Sequence, residues 1–281
     1  MVEKRRVMSN LETNQGRLAA IETFAERCPD CGSLLYRPKG LSKVTGKKMA
    51  GVCMNCGYKQ PPTEPKNVTP DMEKEARKNR TVGYYLAYSV FSTDAIIAKD
   101  FNNFHTDGSL GQQQLKLFAV GLSNKICRNE VVHALIIGDT GVGKSHIANG
   151  ILIDTQAKTG YRKTCLFIDW NALMQRLKSG MSANAQDVRM KNEKIMHEIG
   201  KADVVVIDDL GSERGSDFDR QTADDVFRMR EDKATIVTTN LHGQDLNKRY
   251  GERTMSRMAK HGQGNSFGVK GILDQRKEAL P

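Results

Sequence analysis

The sequence predicts an α/β protein in which helices cover both faces of a parallel sheet, preceded by a small metal-binding domain. Three observations support this fold class: strand and helix patterns alternate from about residue 110, a glycine-rich loop joins one strand to the next helix, and four cysteines are paired near the N-terminus. The 281 residues are enough for one ordinary α/β domain and a smaller one.

The alternating part of the chain gives the order of the core elements. Short apolar runs predict strands at 133–137, 164–168, 203–207 and 234–238. Helical periodicity predicts helices at 112–126, 144–158, 171–178, 184–199 and 216–230. Because nearly every strand is followed by a helix, the strands are expected to be parallel.

The glycine-rich loop has the sequence G-x-x-x-x-G-K-S and lies between the apolar run Ala134–Ile137 and a helical pattern. Backbone N–H groups of such a loop can surround phosphates, and the helix N-terminus adds partial positive charge. Lys144 can reach the terminal phosphates and Ser145 can bind Mg²⁺. The residues predicted to bind the nucleotide are Gly138, Asp139, Thr140, Gly141, Val142, Gly143, Lys144, Ser145 and His146. A tight glycine turn without a ligand is the alternative.

Polar side chains follow two of the predicted strands. Val204–Ile207 ends in Asp208 and Asp209, where Asp208 could hold Mg²⁺ through water and Asp209 could polarise the water that attacks the γ-phosphate. Asn240 follows the strand expected between the glycine loop and the acidic strand, so it can contact the γ-phosphate or the attacking water. Paired acids at a strand end can also be helix caps or solvated turn residues.

The N-terminal cysteines form two C-x₂-C pairs separated by 21 residues. Four thiolates complete the tetrahedron that structural Zn²⁺ prefers, and such a closed site has no position for catalysis. The predicted zinc ligands are Cys28, Cys31, Cys53 and Cys56. Redox chemistry is the weaker alternative, because neither pair lies in a βαβ pattern. Cys127 and Cys165 are interpreted as packing residues.

The charge is uneven along the chain. The net charge is +10, and residues 1–80 hold 16 Lys and Arg against 9 Asp and Glu. This basic end favours contact with nucleic acid or an acidic protein face, although a scattered basic surface is often only solvated. No apolar run approaches the ~20 residues of a membrane-spanning helix, and no apolar signal segment follows the N-terminus. We therefore expect a cytosolic (cytoplasmic) protein with no membrane contact.

The chain before the core divides into segments. Residues 1–27 have helical spacing, including Ile21 and Phe24, and precede the zinc ribbon. A proline-rich linker at 61–65 and a helix at 71–90 follow. The aromatic residues that come next are expected to dock on the core, with base stacking as the alternative. The predicted domains are 1–60, an N-terminal helix plus zinc ribbon; 61–105, linker and connector helix; and 106–281, the nucleotide-binding core.

Several motifs together carry a family resemblance. The strings IIGDTGVGKSH, VVVIDDLGSE, TTN and GERTMSR, with Phe101-Asn102-Asn103-Phe104 ahead of them, resemble the DnaC/DnaI group of AAA+ ATPases. The resemblance covers residues of about 95–276 and implies a P-loop AAA+ core. Only 24 residues follow Arg257, so a full helical lid is not expected.

The resemblance implies roles for further residues and for partners. Asn240 matches sensor 1, Arg253 or Arg257 matches the arginine finger that acts on ATP of a neighbouring subunit, and Arg276 matches sensor 2. Asp209 stands where most AAA+ proteins have glutamate. The shorter side chain of aspartate could slow hydrolysis. The implied cofactors are ATP, Mg²⁺ and Zn²⁺. The implied partners are the replicative hexameric helicase, which the zinc domain would bind, single-stranded DNA, and other copies of the chain when ATP is bound.

Three other functions stay open. The chain could be an IstB-like transposition helper ATPase that remodels duplex DNA. It could be a non-hydrolytic zinc-ribbon adaptor in which the nucleotide is only a switch. A small-molecule P-loop kinase is disfavoured by the sensor-like and finger-like segments. Candidate DNA contacts are Arg189, Lys191 and Lys194 in the basic segment from Lys178 to Lys194, although a plain amphipathic helix face is the favoured explanation of these charges.

Overall fold

The structure is a computed structural model that describes residues 21–43, 46–61, 69–106, 109–181 and 186–269. The chain divides into two compact units, 1–76 and 77–281, and each is described by itself.

The first unit contains a small antiparallel sheet. Its strands, in the order β1-β2-β3, are β1 (Ile21–Arg27), β2 (Leu34–Pro38) and β3 (Val52–Cys53). The helix predicted over 1–27 is therefore wrong for residues 21–27, while residues 1–20 lie outside the described residues. Ile21 and Phe24 do have helical spacing, but the backbone of β1 pairs with β2, beginning at Ile21 opposite Pro38. Local periodicity cannot reveal a pairing partner that far along the chain.

The second unit contains a five-stranded sheet in the order β5-β6-β7-β4-β8, and every neighbouring pair is parallel. Its strands are β4 (His133–Gly138), β5 (Cys165–Asp169), β6 (Val204–Asp208), β7 (Ala234–Thr239) and β8 (Ser266–Val269). The four predicted strands are present within one residue of their expected bounds. Strand β8 was not predicted, because it is a four-residue edge strand that contains Gly268.

Helices connect the strands and flank the sheet. They are α1 (Pro70–Tyr88), α2 (Leu110–Cys127), α3 (Lys144–Lys158), α4 (Trp170–Ser179), α5 (Gln186–Lys201), α6 (Asp217–Met229), α7 (Gly243–Tyr250) and α8 (Glu252–Ala259), with a 3₁₀ turn at Asp94–Ile96. The predicted core helices agree with these bounds within two residues. Within the described ranges, no helix combines the length and apolar character needed to cross a membrane.

Helices cover both faces of the sheet, as predicted. Side chains alternate between the two faces along each strand. On one face Ile136 and Val206 pack with Ile147 of α3. On the other face Ile207 packs with Phe227 of α6 and with α4 and α5. The P-loop α/β fold class with two helical layers is therefore confirmed.

Aromatic residues in the last turns of α1 and after it pack into the core of the second unit, as expected for docking. Tyr85 is buried and its hydroxyl donates to Asn149 Oδ1 of α3 at 2.6 Å. Phe104 is also buried, and Val90 forms a parallel bridge with Ile168 at the outer edge of β5. The connector therefore covers one edge of the sheet and does not leave these rings free for base stacking.

Strand order brings the predicted site residues to one edge. Strand β7 lies between β4 and β6. Because the strands are parallel, their carboxyl ends meet there. The glycine loop after β4, the acids after β6 and Asn240 after β7 therefore lie at the same edge of the sheet.

Candidate nucleotide and zinc sites

The glycine loop leaves β4 and enters α3 directly at Lys144. Gly141 and Gly143 have φ of +86° and +92°, a region that other residues rarely adopt. A Cβ on Gly143 would lie 2.7 Å from Cε2 of Phe104, which is too close for any side chain. These glycines therefore allow the tight path of the loop, and the free N–H groups at the start of α3 follow it.

Lys144 joins the loop to the neighbouring strand. Its Nζ donates to the carbonyl oxygens of Gly138 and Asp139, both at 2.7 Å, and to Asn240 Oδ1 at 2.6 Å. The side chain is buried, so the charge is held in a region of low dielectric. An ammonium in this position is well placed to bind phosphate oxygens, because such charge-assisted hydrogen bonds are strong.

Asp208 is a buried carboxyl group at the end of β6. Burial raises its pKa to about 6, and the charges of Asp169 and Asp209 act in the same direction. Hydrogen bonds from Thr238 and Ser145 partly offset this effect, and Thr238 Oγ1 donates to Asp208 Oδ1 at 2.6 Å. A divalent cation would relieve the unfavourable charge, and Ser145 offers a second oxygen ligand, so these residues fit Mg²⁺.

Asp209 and Asn240 complete the cluster. Asp209 has a φ of +56°, which Asp tolerates better than most residues, and its N–H donates to Thr238 Oγ1 at 2.9 Å. Asn240 Nδ2 lies 3.3 Å from Asp209 Oδ1 and 3.3 Å from Thr140 Oγ1. Asn240 therefore links the acidic strand end to the glycine loop, where a γ-phosphate and its attacking water would meet.

Thr238 is a functional residue that the sequence reasoning missed. It fixes the Asp208 carboxylate and the Asp209 backbone at once. Its position near the carboxyl end of β7, two residues before Asn240, was the available signal, because the carboxyl ends of parallel strands meet at the edge where ligands bind.

His146, predicted to bind the nucleotide, contacts the segment before the core. Its Nε2 lies 2.9 Å from the Asp100 carbonyl oxygen and 2.7 Å from Asn103 Oδ1. Its ring makes an edge-on contact with Phe104 at a centroid distance of 5.0 Å. Burial lowers the pKa of His146, so the ring is neutral near pH 7. A nucleotide contact of this residue stays a prediction.

The two arginines of α8 are in different environments. Arg257 is mostly buried and forms an ion pair with Asp224 of α6, which Thr254 also contacts at 3.2 Å. Arg253 is exposed and makes no hydrogen bond or ion pair within the described part of the chain. Arg276 lies outside the described residues. Lys144, Asp208, Asp209 and Asn240 are thus brought together, while Arg253 is exposed on α8 and makes no hydrogen bond to them in the described residues.

The four predicted zinc ligands form one cluster in the first unit. Their sulfur atoms all lie within 4.8 Å of one another, and Cys28–Cys56 and Cys31–Cys53 have Sγ–Sγ distances of 3.5 Å. A tetrahedral ZnS₄ site with bonds of about 2.3 Å has sulfur atoms roughly 3.8 Å apart. The donor set and its spacing therefore fit Zn²⁺.

Each cysteine pair lies in a tight turn that ends in glycine. The N–H of Gly32 donates to the Cys28 carbonyl at 2.9 Å, and the N–H of Gly57 donates to the Cys53 carbonyl at 3.1 Å. Gly32 and Gly57 have φ of +72° and +78°, a backbone conformation that glycine adopts readily. The turns direct both thiols of each pair toward a common centre.

Loss of one thiolate is expected to remove the metal. We expect the parent chain to carry about one zinc ion and the Cys53→Ser chain close to none, because a structural site needs all four ligands. Metal content of the purified proteins measures this. Cys127→Ser is the matched control and is expected to keep its zinc. Full zinc content in the Cys53→Ser chain would contradict the assignment.

Replacing Asp208 with asparagine is expected to stabilise the second unit in buffer without Mg²⁺. The pKa of Asp208 in the folded protein is about 6, above its ordinary value of 3.8. The protonated carboxyl group of Asp208 therefore favours the folded state. This contribution to stability is fully present below about pH 4 and is lost as the pH rises through 6. At pH 8 we expect a gain of about 1–3 kcal/mol in the free energy of unfolding for Asp208→Asn. Denaturant melts at pH 8 and pH 4 test this, and an equal gain at both would contradict it.

The parallel sheet, the glycine loop and the acidic strand end define a P-loop ATP-binding protein of the AAA+ class. The sequence model of the family described as IstB-like ATP binding protein matches residues 67–259. The chain belongs to this family. A search among curated proteins gave no match.

Solved structures with the same core include proteins of DNA replication. The DnaC helicase loader is 25% identical with a TM-score of 0.53, and the match covers 63% of this chain and 100% of that one. A protein described as a primosome component from Streptococcus pyogenes serotype M3 is 14% identical with a TM-score of 0.53, covering 69% and 98%. DnaI is 19% identical with a TM-score of 0.50, covering 66% and 94%. The last two show the fold alone.

Proposed function

We propose that the protein is an ATPase that loads the replicative hexameric DNA helicase onto single-stranded DNA at the start of replication. The observation that carries the proposal is the similarity to the DnaC helicase loader, which extends over the full length of that chain. The Cys₄ cluster ahead of the core supports it, because it supplies a separate unit that could bind the helicase.

The clustered residues can perform ATP hydrolysis. Lys144 would neutralise the β- and γ-phosphates, and Asn240 would orient the γ-phosphate or the attacking water. Asp209 would polarise that water, acting as the acid–base residue in place of the usual glutamate. Ser145 and Asp208 would hold Mg²⁺, which when bound offsets the negative charge on the phosphates. His146 would hold the connector against the loop.

The arginines imply a site shared between subunits. Arg253 is the exposed residue of the pair, so it is free to act on ATP in a neighbouring copy. Arg257 is held by Asp224 within its own chain and would position α8. Arg276 would contact the nucleotide as sensor 2. Because a site without the finger hydrolyses slowly, the chain would work as a homo-oligomer when ATP is bound.

The zinc unit would bind the helicase, and the core would contact DNA. In the predicted basic segment, Lys178 forms an ion pair with buried Asp219 at 2.6 Å. Of the candidate DNA contacts, Arg189 Nε donates to the Gly180 carbonyl oxygen at 3.4 Å, and Lys194 lies over the ring of Tyr88. Lys191 is exposed on α5. Lys191 is therefore the residue of this segment best placed to meet a phosphate backbone.

A transposition helper ATPase is the second candidate, because the matching family is described as IstB-like. The same hydrolytic cluster would then act on a complex of transposase and duplex DNA. A nucleotide-switch adaptor is the third, and it predicts that Asp209→Asn leaves every function unchanged.

Binding by the full-length chain separates these functions. We expect immobilised protein to retain the purified replicative helicase with ATP present, and to retain much less when Cys53→Ser removes the zinc cluster. A transposase with duplex DNA is the competing ligand in a parallel assay. Retention of the transposase but not the helicase would replace the loader proposal with the helper function.

A further inference from the structure

We propose that Glu213 is a positioning residue that fixes the arginine finger of each subunit relative to the acidic strand end of the same subunit. This inference rests on the proposed function, because it concerns the finger of a shared ATP site. Neither the motifs nor the comparisons assign a role to Glu213.

Glu213 is a buried carboxylate with three donors. Its side chain is 1% exposed. Tyr250 OH donates to Oε1 at 2.7 Å, Arg249 Nε donates to the same oxygen at 3.0 Å, and the N–H of Gly211 donates to Oε2 at 3.0 Å. Arg249 also donates to the Glu213 carbonyl oxygen. Together these contacts fix the Glu213 carboxylate, the loop that contains it and the end of α7 that carries Arg249 and Tyr250.

The loop that contains Glu213 begins at the acidic end of β6. Glu213 lies four residues after Asp209 in the loop between β6 and α6. The start of that loop is bound to β7, because Leu210 N–H donates to the Thr238 carbonyl at 2.9 Å and Thr239 Oγ1 donates to the Leu210 carbonyl at 2.6 Å. The loop therefore keeps a fixed relation to Asp209 and to the strand that ends before Asn240.

The donors Arg249 and Tyr250 lie just before the helix that carries the proposed finger, Arg253. Tyr250 is the last residue of α7, and the chain turns at Gly251, with φ of +81°, into α8. Arg253 lies in the first turn of α8, three residues after Tyr250. Asp224 of α6 holds α8 separately, through Thr254 in the first turn and through Arg257 further along. Glu213 thus fixes the chain that enters α8 just before the finger, and its loss would let the start of α8 shift about its contact with Asp224.

Mixtures of two inactive chains test this role. An Arg253→Ala chain keeps its own ATP site but offers no finger, whereas an Asp209→Asn chain offers a finger but does not hydrolyse. Mixed oligomers contain complete sites between them, so the mixture is expected to recover ATPase activity. Glu213→Gln is then placed in one chain or the other.

We expect Glu213→Gln in the finger-donating Asp209→Asn chain to lower the recovered rate roughly tenfold, since displacing a group by about an ångström can cost up to ~100-fold. The same change in the Arg253→Ala chain is expected to lower it less. ATP affinity of the Glu213→Gln chain should stay within about twofold of the parent. Glu130→Gln, which breaks an exposed ion pair with Arg128, is the matched control and should change nothing.

The outcomes separate the two proposals. If the unmodified mixture recovers no activity, the shared site fails and the proposed function fails with it. If the unmodified mixture does recover activity, two results overturn only the role of Glu213. One is that Glu213→Gln has no effect in the Asp209→Asn chain, and the other is that it has a larger effect in the Arg253→Ala chain. Tyr250→Phe, which removes one donor and keeps the charges, replaces Glu213→Gln if the latter melts early. It is expected to lower the recovered rate in the same chain, and no loss there would also overturn the role.

Discussion

Replacing Lys144 with alanine is expected to weaken ATP binding by at least about 100-fold, or roughly 3 kcal/mol. The ammonium is held by the Gly138 and Asp139 carbonyls and Asn240 Oδ1 at the glycine loop, so its removal takes away the positive charge that this position brings to the phosphates. Titration with a fluorescent ATP analogue measures the loss, and ATPase activity should disappear with it.

The control for this change lies on the same helix. Lys158, in the last turn of α3, pairs with Asp154 at the surface. Its replacement by alanine removes the same charge and side chain, yet ATP affinity should not change, because an exposed pair of this kind contributes little. Equal affinity in the Lys144→Ala and parent chains would show that the glycine loop does not hold the nucleotide.

Replacing Arg253 with alanine is expected to lower the rate of ATP hydrolysis by about 10³-fold while leaving ATP affinity unchanged. The guanidinium is exposed and makes no hydrogen bond or ion pair in the described ranges, and it acts on Asp224 only through its charge, so its removal disturbs little in its own chain. Steady-state ATPase assays at protein concentrations that allow assembly measure the effect. The melting temperature should equal that of the parent.

Arg257→Ala provides the contrast. Arg257 pairs with the partly buried Asp224, whose pKa its charge holds below the usual range despite burial. Its loss is therefore expected to destabilise the second unit by about 1–3 kcal/mol. If Arg257→Ala abolished hydrolysis without loss of stability, and Arg253→Ala did not, the finger would be assigned to the wrong residue.

Most of the core could be predicted because local signals agree with the tertiary structure. The strands from β4 to β7 are apolar runs buried on both faces, and α3 begins at the lysine of the glycine loop. Strand β1 could not be predicted, since its conformation depends on pairing with β2. Edge strand β8 is too short and contains too few apolar residues to give a signal.

Parts of the site could be predicted from motifs, while others depend on contacts between distant segments. Asp208, Asn240 and Lys144 follow from motif and strand order. The difference between Arg253 and Arg257 does not, because two arginines four residues apart are equivalent in sequence and only the ion pair with Asp224 separates them. Glu213 was missed because its side-chain partners, Arg249 and Tyr250, lie more than 30 residues away.

Delivery of the helicase onto DNA is the most direct test of the claim that ATP held by Lys144 drives helicase loading. A single-stranded DNA circle that carries one annealed oligonucleotide would be incubated with helicase, ATP and this protein, and displacement of the oligonucleotide would be followed. We predict efficient displacement with the parent and with Lys158→Ala, and none above the helicase alone with Lys144→Ala. Equal displacement by the Lys144→Ala and parent proteins would contradict the claim.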